Sequence, residues 1–205
     1  MVETIPAERM TLYELEQQFG LQQVTDTAFF PEWQSGLPQL QDHEWQRLER
    51  VKLAYANLAR RSVLENTVKM AIVSPLLDLA GFFLPPFYVS TEEDVRIVAR
   101  DAGVVVRGRI DVLVLKDQFW LLIIESKRAA FSLNVGIPQA LAYMLASPQP
   151  QPLFGLVTNG SNFVFLKLIS QDSPRYARSD EFILEQGCDL SLVLQILKRV
   201  AAVMA

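Results

Sequence analysis

A run of six apolar residues, Phe119 to Ile124, leads without interruption into Glu125-Ser126-Lys127. Strands covered on both faces read as unbroken apolar runs, and this run is too short to cross a bilayer, so it marks the central strand of a covered sheet. Charged side chains are seldom buried without partners, so a carboxylate and an ammonium at the end of such a strand need a reason. Side-chain alternation puts Leu121, Ile123, Glu125 and Lys127 on one face and Trp120, Leu122 and Ile124 on the other. Glu125 and Lys127 are thereby neighbours.

The segments around this strand supply its partners. Val95 to Ala99, Val104 to Leu115 and Gln118 to Lys127 are rich in β-branched and aromatic residues, with turn material at Asp101-Ala102-Gly103 and Lys116-Asp117. They predict three consecutive antiparallel strands. Upstream, Trp45, Leu48, Val51, Tyr55 and Leu58, then Val63, Leu64, Val68 and Ile72, recur at helical spacing from an Asp42 cap to Ser74, where Pro75 should end or kink the helix. Downstream, a helix is expected from Val135 to Ala146, capped by Asn134 or Ser132, with Pro138 in its first turn and Pro148 and Pro150 after it. Leu153 to Thr158 and Ser161 to Leu168 read as two strands joined by a positive-φ turn at Asn159-Gly160. The polar stretch from Ser170 to Ser179 reads as a loop, and Leu190 to Val200 as an apolar-striped helix that covers the sheet or meets another subunit. Residues 1–42, with a short helical pattern from Thr11 to Leu15 and breakers at Pro31, Gly36 and Pro38, are expected to form a helical and loop appendage to a domain over 43–205. The order, helix, three strands, helix, two strands, helix, is mixed α/β.

A short turn at Lys116-Asp117 folds Asp111 back to within about a residue of Glu125 in register. Two carboxylates and one lysine then converge. Rigidly held acidic oxygens suit Mg²⁺, with Mn²⁺ as a substitute, and a lysine beside the ion can orient or activate a water. The other reading of the trio is a buried ion-pair network that fixes strand register. Composition narrows the alternatives. Cys188 and His43 are the sole residues of their kinds, which excludes an internal disulfide and a zinc site built on several Cys and His ligands. A Ser-His-Asp triad would need His43, which lies in a polar helix-start context. The net charge of −4 excludes an all-round basic coating but leaves a local basic patch open. No ATP-binding loop and no secretory leader is apparent, so the expected location is the cytoplasm, off the membrane.

Asp111, thirteen intervening residues and Glu125-Ser126-Lys127 resemble the PD-(D/E)xK nuclease superfamily. Within it the chain is most similar to the N-terminal endonuclease domain of type I restriction enzyme motor subunits and their stand-alone relatives. Gln139-Ala140-Leu141-Ala142-Tyr143 resembles the QxxxY motif of that branch, and Thr158-Asn159-Gly160 its following hairpin. Ile110 stands in place of the proline of the name. The resemblance implies a restriction-endonuclease-like fold with a C-terminal helix added, and metal-dependent cleavage of nucleic acid, DNA before RNA. It implies metal on Asp111, Glu125 and the Ser126 backbone carbonyl, with Lys127 assisting the water. Glu65 matches the acid that the first helix often adds in the family. Its other reading is a helix-surface pair with Lys69 or Arg61. Gln139 and Tyr143 could contact phosphate or hold Lys127, the other reading being a core tyrosine beside a surface glutamine. Arg109 and Arg128, with Arg107, are the expected phosphate contacts. A second copy or a partner subunit is an expected companion, and a nuclease-fold scaffold without turnover is the alternative to an enzyme.

Overall fold

The computed structural model describes residues 3–98, 104–130, 132–149, 151–170 and 173–205. The expected turn at Asp101-Ala102-Gly103, along with Ala99 and Pro150, lies outside the described residues.

An eight-stranded sheet organises the chain: β1 (Glu3–Pro6), β2 (Gln22–Gln23), β3 (Phe87–Val98), β4 (Val104–Lys116), β5 (Phe119–Ser126), β6 (Leu153–Thr158), β7 (Asn162–Ile169) and β8 (Arg175–Ile183). Its order is β1-β4-β5-β6-β7-β8-β2, with β3 on the other edge of β4. One core packs under α2 (Asp42–Leu58), α3 (Glu65–Val68), α4 (Ser74–Leu79) and α6 (Asp189–Met204), and includes Leu48, Val68, Leu76, Leu122, Ile124 and Leu197. The second lies under α1 (Leu12–Phe19) and α5 (Leu133–Leu145), and includes Leu15, Ile110, Ile123, Leu141 and Val157. Removing each such side chain from water contributes about 2 kcal/mol, and the two cores hold the sheet between helical layers. The parallel β5–β6 pair needs a crossover, and α5 is that crossover.

Several expectations are corrected. The first helix is not continuous. It breaks after Leu58 and resumes as α3, a π-turn over Lys69–Val73 and α4, joined by helical backbone, and Pro75 follows just after the π-turn, which loosens the helix where the proline lacks an N–H. On α2 the buried face is Glu44, Leu48, Val51 and Tyr55, and Trp45 is exposed, because Lys198 of α6 reaches Glu44. Helix α5 starts at Leu133 under the Ser132 cap, which moves Pro138 into its second turn. In the hairpin after β6, only Gly160 has a positive φ (+90°), and Asn159 closes the turn by accepting from the Ser161 and Asn162 N–H groups. The expected loop at 170–179 is in part β8. Its polar residues alternate with buried Tyr176, Ala177, Ser179 and Phe182, and a bulge opposite Val164–Leu166 is satisfied by Ser179 Oγ accepting from Phe165 N–H. Alternation along β5 breaks at Leu121, which has no partner on β4, so Trp120 faces the second core and not the core of Leu122 and Ile124. Residues 1–42, expected as helix and loop, also supply β1, parallel to β4, and β2, parallel to β8.

The edges of β4 position everything that follows. One edge is lined by β3 along almost its whole length. The other pairs with β5 from Val112 to Lys116 and with β1 from Val104 to Arg107. Between them, residues 108–111 face a fork where β5 leaves and β1 has not yet begun.

Candidate active site

Asp111 stands at the head of that fork. Ile110 and Val112, which strict alternation would put on one face, belong to opposite cores, so β4 turns at Asp111. Across the β3 edge, Glu92 falls between the Thr91–Val112 and Glu93–Ile110 pairs and has φ +59°, a left-handed conformation that is costly for a residue with a Cβ. The β4–β5 ladder ends at Val112–Ile124, so the next residues along the two strands are Asp111 and Glu125. In place of a further ladder bond, Asp111 Oδ2 accepts from both the backbone N–H and the hydroxyl of Ser126, each at 2.8 Å. The expected near-register of Asp111 and Glu125 is present, and the strands part where the charges begin.

Glu125 is buried at 3% exposure, on the α5 side with Ile123. Its Oε1 accepts from Lys127 Nζ at 2.9 Å, and among the described residues its Oε2 has no hydrogen-bond partner. Burial, then the charge of Asp111, raises its pKa to about 8 against the opposing pull of Lys127, and the charge of Glu65 adds to the rise. Lys127 also donates to Gln139 Oε1 at 2.6 Å, while its backbone N–H is anchored on the Thr158 carbonyl at 2.8 Å. Gln139 Nε2 in turn donates to the Tyr143 hydroxyl at 2.7 Å. Burial, then the charge of Glu125, pushes the Tyr143 phenol above its ordinary range and keeps it protonated. Gln139 and Tyr143 are both buried and joined to Lys127, which is one of the arrangements expected from their spacing.

Two glycines permit this closeness. A Cβ on Gly108 would lie 2.6 Å from Tyr143 Cε1 and 2.8 Å from Ala7 Cβ, and one on Gly136 would lie 2.7 Å from Val157 Cγ1 and 3.4 Å from Lys127 Cε. Side chains at these places would force Tyr143, Ala7 or Val157 to shift and so loosen α5 from the sheet.

The remaining expected residues are distributed around the fork. Glu65 is half-buried in the first turn of α3, close enough for Glu125 to feel its charge. Lys69, considered from sequence only as a helix partner of Glu65, instead bonds Glu92 at 2.8 Å and Asp111 Oδ1 at 3.1 Å. Burial opposes its charge, but the bonds and charges of Glu92 and Asp111 hold its ammonium above the ordinary range. Arg109 is exposed, donates to Asp94 at 2.9 Å and lines, with Gln139 and Tyr143, a cavity of about 420 Å³ whose far wall is Pro6, Ala7 and Glu8. Arg128 is exposed on the loop after β5 and does not line that cavity. Lys69, Glu92 and Asp111 line a second cavity of about 510 Å³ on the α3 side. Sequence reasoning missed Lys69 and Glu92, and it assigned Ser126 a carbonyl role without seeing its N–H and hydroxyl on Asp111. The one signal within reach was that Lys69 lies one helical turn from Glu65.

The donor set fits a hard divalent cation in kind. Asp111 and Glu125 are adjacent carboxylates, and one oxygen of Glu125 is buried without a partner. Among the described residues no group of three or more His, Cys, Asp or Glu side chains could hold a metal ion, so a cation here would draw its other ligands from backbone or water.

Residues 14–173, well over half of the chain, match the family model described as the type I restriction enzyme R protein N terminus. Among solved structures, a fragment described as an HsdR subunit of a type I restriction enzyme from Vibrio vulnificus YJ016 is similar at 19% identity, with a TM-score of 0.39. That match covers 69% of this chain and 26% of the solved one, so the chain spans about a quarter of the relative's length. No protein of curated function is significantly similar. Among the described residues no helix is long and apolar enough to cross a membrane. With its mixed sheet between helical layers and its added C-terminal helix, the chain has a restriction-endonuclease-like α/β fold and belongs to the type I restriction enzyme R protein N-terminal family.

Proposed function

We propose that this chain is a nuclease-fold module of a restriction-type complex that engages nucleic acid, DNA before RNA, and that its fork hydrolyses phosphodiester bonds once a divalent cation, Mg²⁺ or Mn²⁺, is bound. The observation that carries the hydrolytic reading is Glu125: a buried carboxylate with one bare oxygen, beside Asp111 and bonded to Lys127.

Asp111 and Glu125 would hold the cation, with the Ser126 carbonyl as the candidate backbone ligand. The cation's chemistry is to polarise the phosphodiester and lower the pKa of a water. Lys127 orients the attacking water and meets the negative charge that grows on phosphorus. Gln139 and the protonated Tyr143 keep that ammonium aimed into the fork. Glu65 stands where it can accept a proton or bond a water on the α3 side. Arg109 and Arg128 are the exposed cations for the phosphate backbone, and their effect should weaken with salt.

A second reading, a nuclease-fold scaffold or binding subunit without turnover, is favoured by a specific observation. Both oxygens of Asp111 are engaged, one by Lys69 and the other by Ser126, so on the Asp111 side the fork is closed by an ion pair and two hydrogen bonds. The family placement and the fold support the nuclease-fold part of this role.

Cleavage of supercoiled plasmid and single-stranded DNA in Mg²⁺ or Mn²⁺, by wild type and Lys127→Ala, decides between them. The hydrolytic reading expects a loss of about a hundredfold or more in the variant. Equal rates in both proteins sink it. DNA binding by wild type in a gel-shift assay, with no cleavage in either metal, establishes the scaffold.

A further inference from the structure

Lys69 is bound to the cation site more intimately than a helix-surface residue needs to be. It opens the π-turn Lys69–Val73, and π-turns gather at functional positions because the extra residue re-aims the side chains around it. Four residues after Glu65, it is spaced for an ordinary helical ion pair with that acid, yet its ammonium reaches across 42 residues of sequence to Asp111 Oδ1. That oxygen is the one Ser126 leaves uncovered. The same ammonium bonds Glu92 at 2.8 Å, whose backbone holds a left-handed φ directly across the β3 edge from Asp111. Strain of this kind persists only where the surroundings impose it. Lys69, Glu92 and Asp111 also share the wall of the 510 Å³ cavity, which leaves the lysine stem room to move.

We propose that Lys69 is a tethered counter-ion of the cation site, neutralising Asp111 until a divalent cation binds and then withdrawing onto Glu92. It rests on the reading that Asp111 and Glu125 take such a cation. An entering ion must free Asp111 Oδ1, and a lysine with no second partner would be left as a part-buried unpaired charge, which is expensive. Glu92 removes that cost, because Lys69 keeps one carboxylate throughout. Lys69 and Glu92 are therefore positioning residues that set how tightly the fork binds metal, and neither contacts the reacting atoms.

The test is calorimetric titration of Mn²⁺ into the full chain without nucleic acid, for wild type, Lys69→Met, Glu92→Gln, the double variant and Asp111→Asn. Lys69→Met should bind about tenfold tighter, since the ion no longer competes with an ammonium. Glu92→Gln should bind about threefold weaker, because Lys69 then has only Asp111 to hold. The double variant should match Lys69→Met, which separates action through Lys69 from the simple loss of a negative charge: a direct charge effect of Glu92 would persist without the lysine. Melting in EDTA gives a second reading, with Lys69→Met less stable than wild type and restored by Mn²⁺.

If Lys69→Met binds no tighter than wild type while Asp111→Asn abolishes binding, the counter-ion role is overturned and the cation site stands. If neither folded wild type nor folded Lys69→Met binds Mn²⁺, the cation reading falls and takes this inference with it. Should Lys69→Met not fold, exposed Glu92 carries the test alone, and wild-type affinity in Glu92→Gln overturns the withdrawal.

Discussion

Glu44 and Glu125 are each 3% exposed and each bonded to one lysine, yet their carboxyl groups respond in opposite directions. Burial alone would raise Glu44, but the bond from Lys198, the Gln41 N–H at 2.7 Å on its other oxygen and the Lys198 charge bring its pKa below the ordinary value. Burial also dominates at Glu125, where one oxygen has no donor and Asp111 and Glu65 add negative charge, so the group rises to about 8. Equal side-chain exposure therefore does not decide what a carboxylate is for: Glu125 lies deeper and loses more solvation as well as having fewer donors. A bare oxygen does not decide it either. Among the described residues Glu32 Oε2 also has no partner, but its lysine, Lys167, lies within 6.0 Å of the ring centres of Phe29, Phe30 and Phe154 and ties residues 31–33 to β7. What separates Glu125 is a bare oxygen together with a second carboxylate on the next strand.

The comparison can be broken most directly at Glu125, where Glu125→Gln should stabilise metal-free protein. A carboxyl whose folded pKa is raised binds its proton more tightly in the native state, so its stabilising effect is complete below the unfolded value of 4.5 and is lost as pH rises toward about 8. Gln removes that dependence. The variant should therefore gain on wild type progressively from pH 5 to pH 8, reaching roughly 5 kcal/mol, and level off above. A margin that stays flat with pH would show that Glu125 resembles Glu44 after all.

Glu44→Ala should do the reverse. It leaves Lys198 without its buried partner and should cost about 3 kcal/mol in urea denaturation. A cost under about 1 kcal/mol would mean that the pair is not structural.

The smallest effect sharpens the link to α5. Tyr143→Phe removes the acceptor of Gln139 Nε2 and should cost about 1 kcal/mol by thermal denaturation. No change would show that the chain from Lys127 through Gln139 to Tyr143 is not held from its far end.

Much of this molecule was legible in its residues. The apolar run of β5, the cap and flanking prolines of α5 and the Asn159-Gly160 turn are local patterns, and they carried the three antiparallel strands around Asp111 and the convergence of Glu125 with Lys127. The errors fall where a distant partner changes a local rule. Trp45 lost its place in the core to Glu44 because Lys198, on the last helix, reaches that carboxylate. Trp120 changed face because Leu121 has no partner on β4. Residues 175–179 look like a loop because their burial comes only after β7 and β2 flank them.

What the sequence determined by itself is which side chains share a face and which segments run straight, because alternation and helical period act over a few residues. Tertiary structure decided that β1 takes over the β4 edge where β5 leaves it, that β4 turns at Asp111, and that Lys69 spends its charge there and not on Glu65. Those outcomes depend on strands and helices far apart in the chain competing for the same edge or the same oxygen, and no short-range pattern encodes a competition between distant partners.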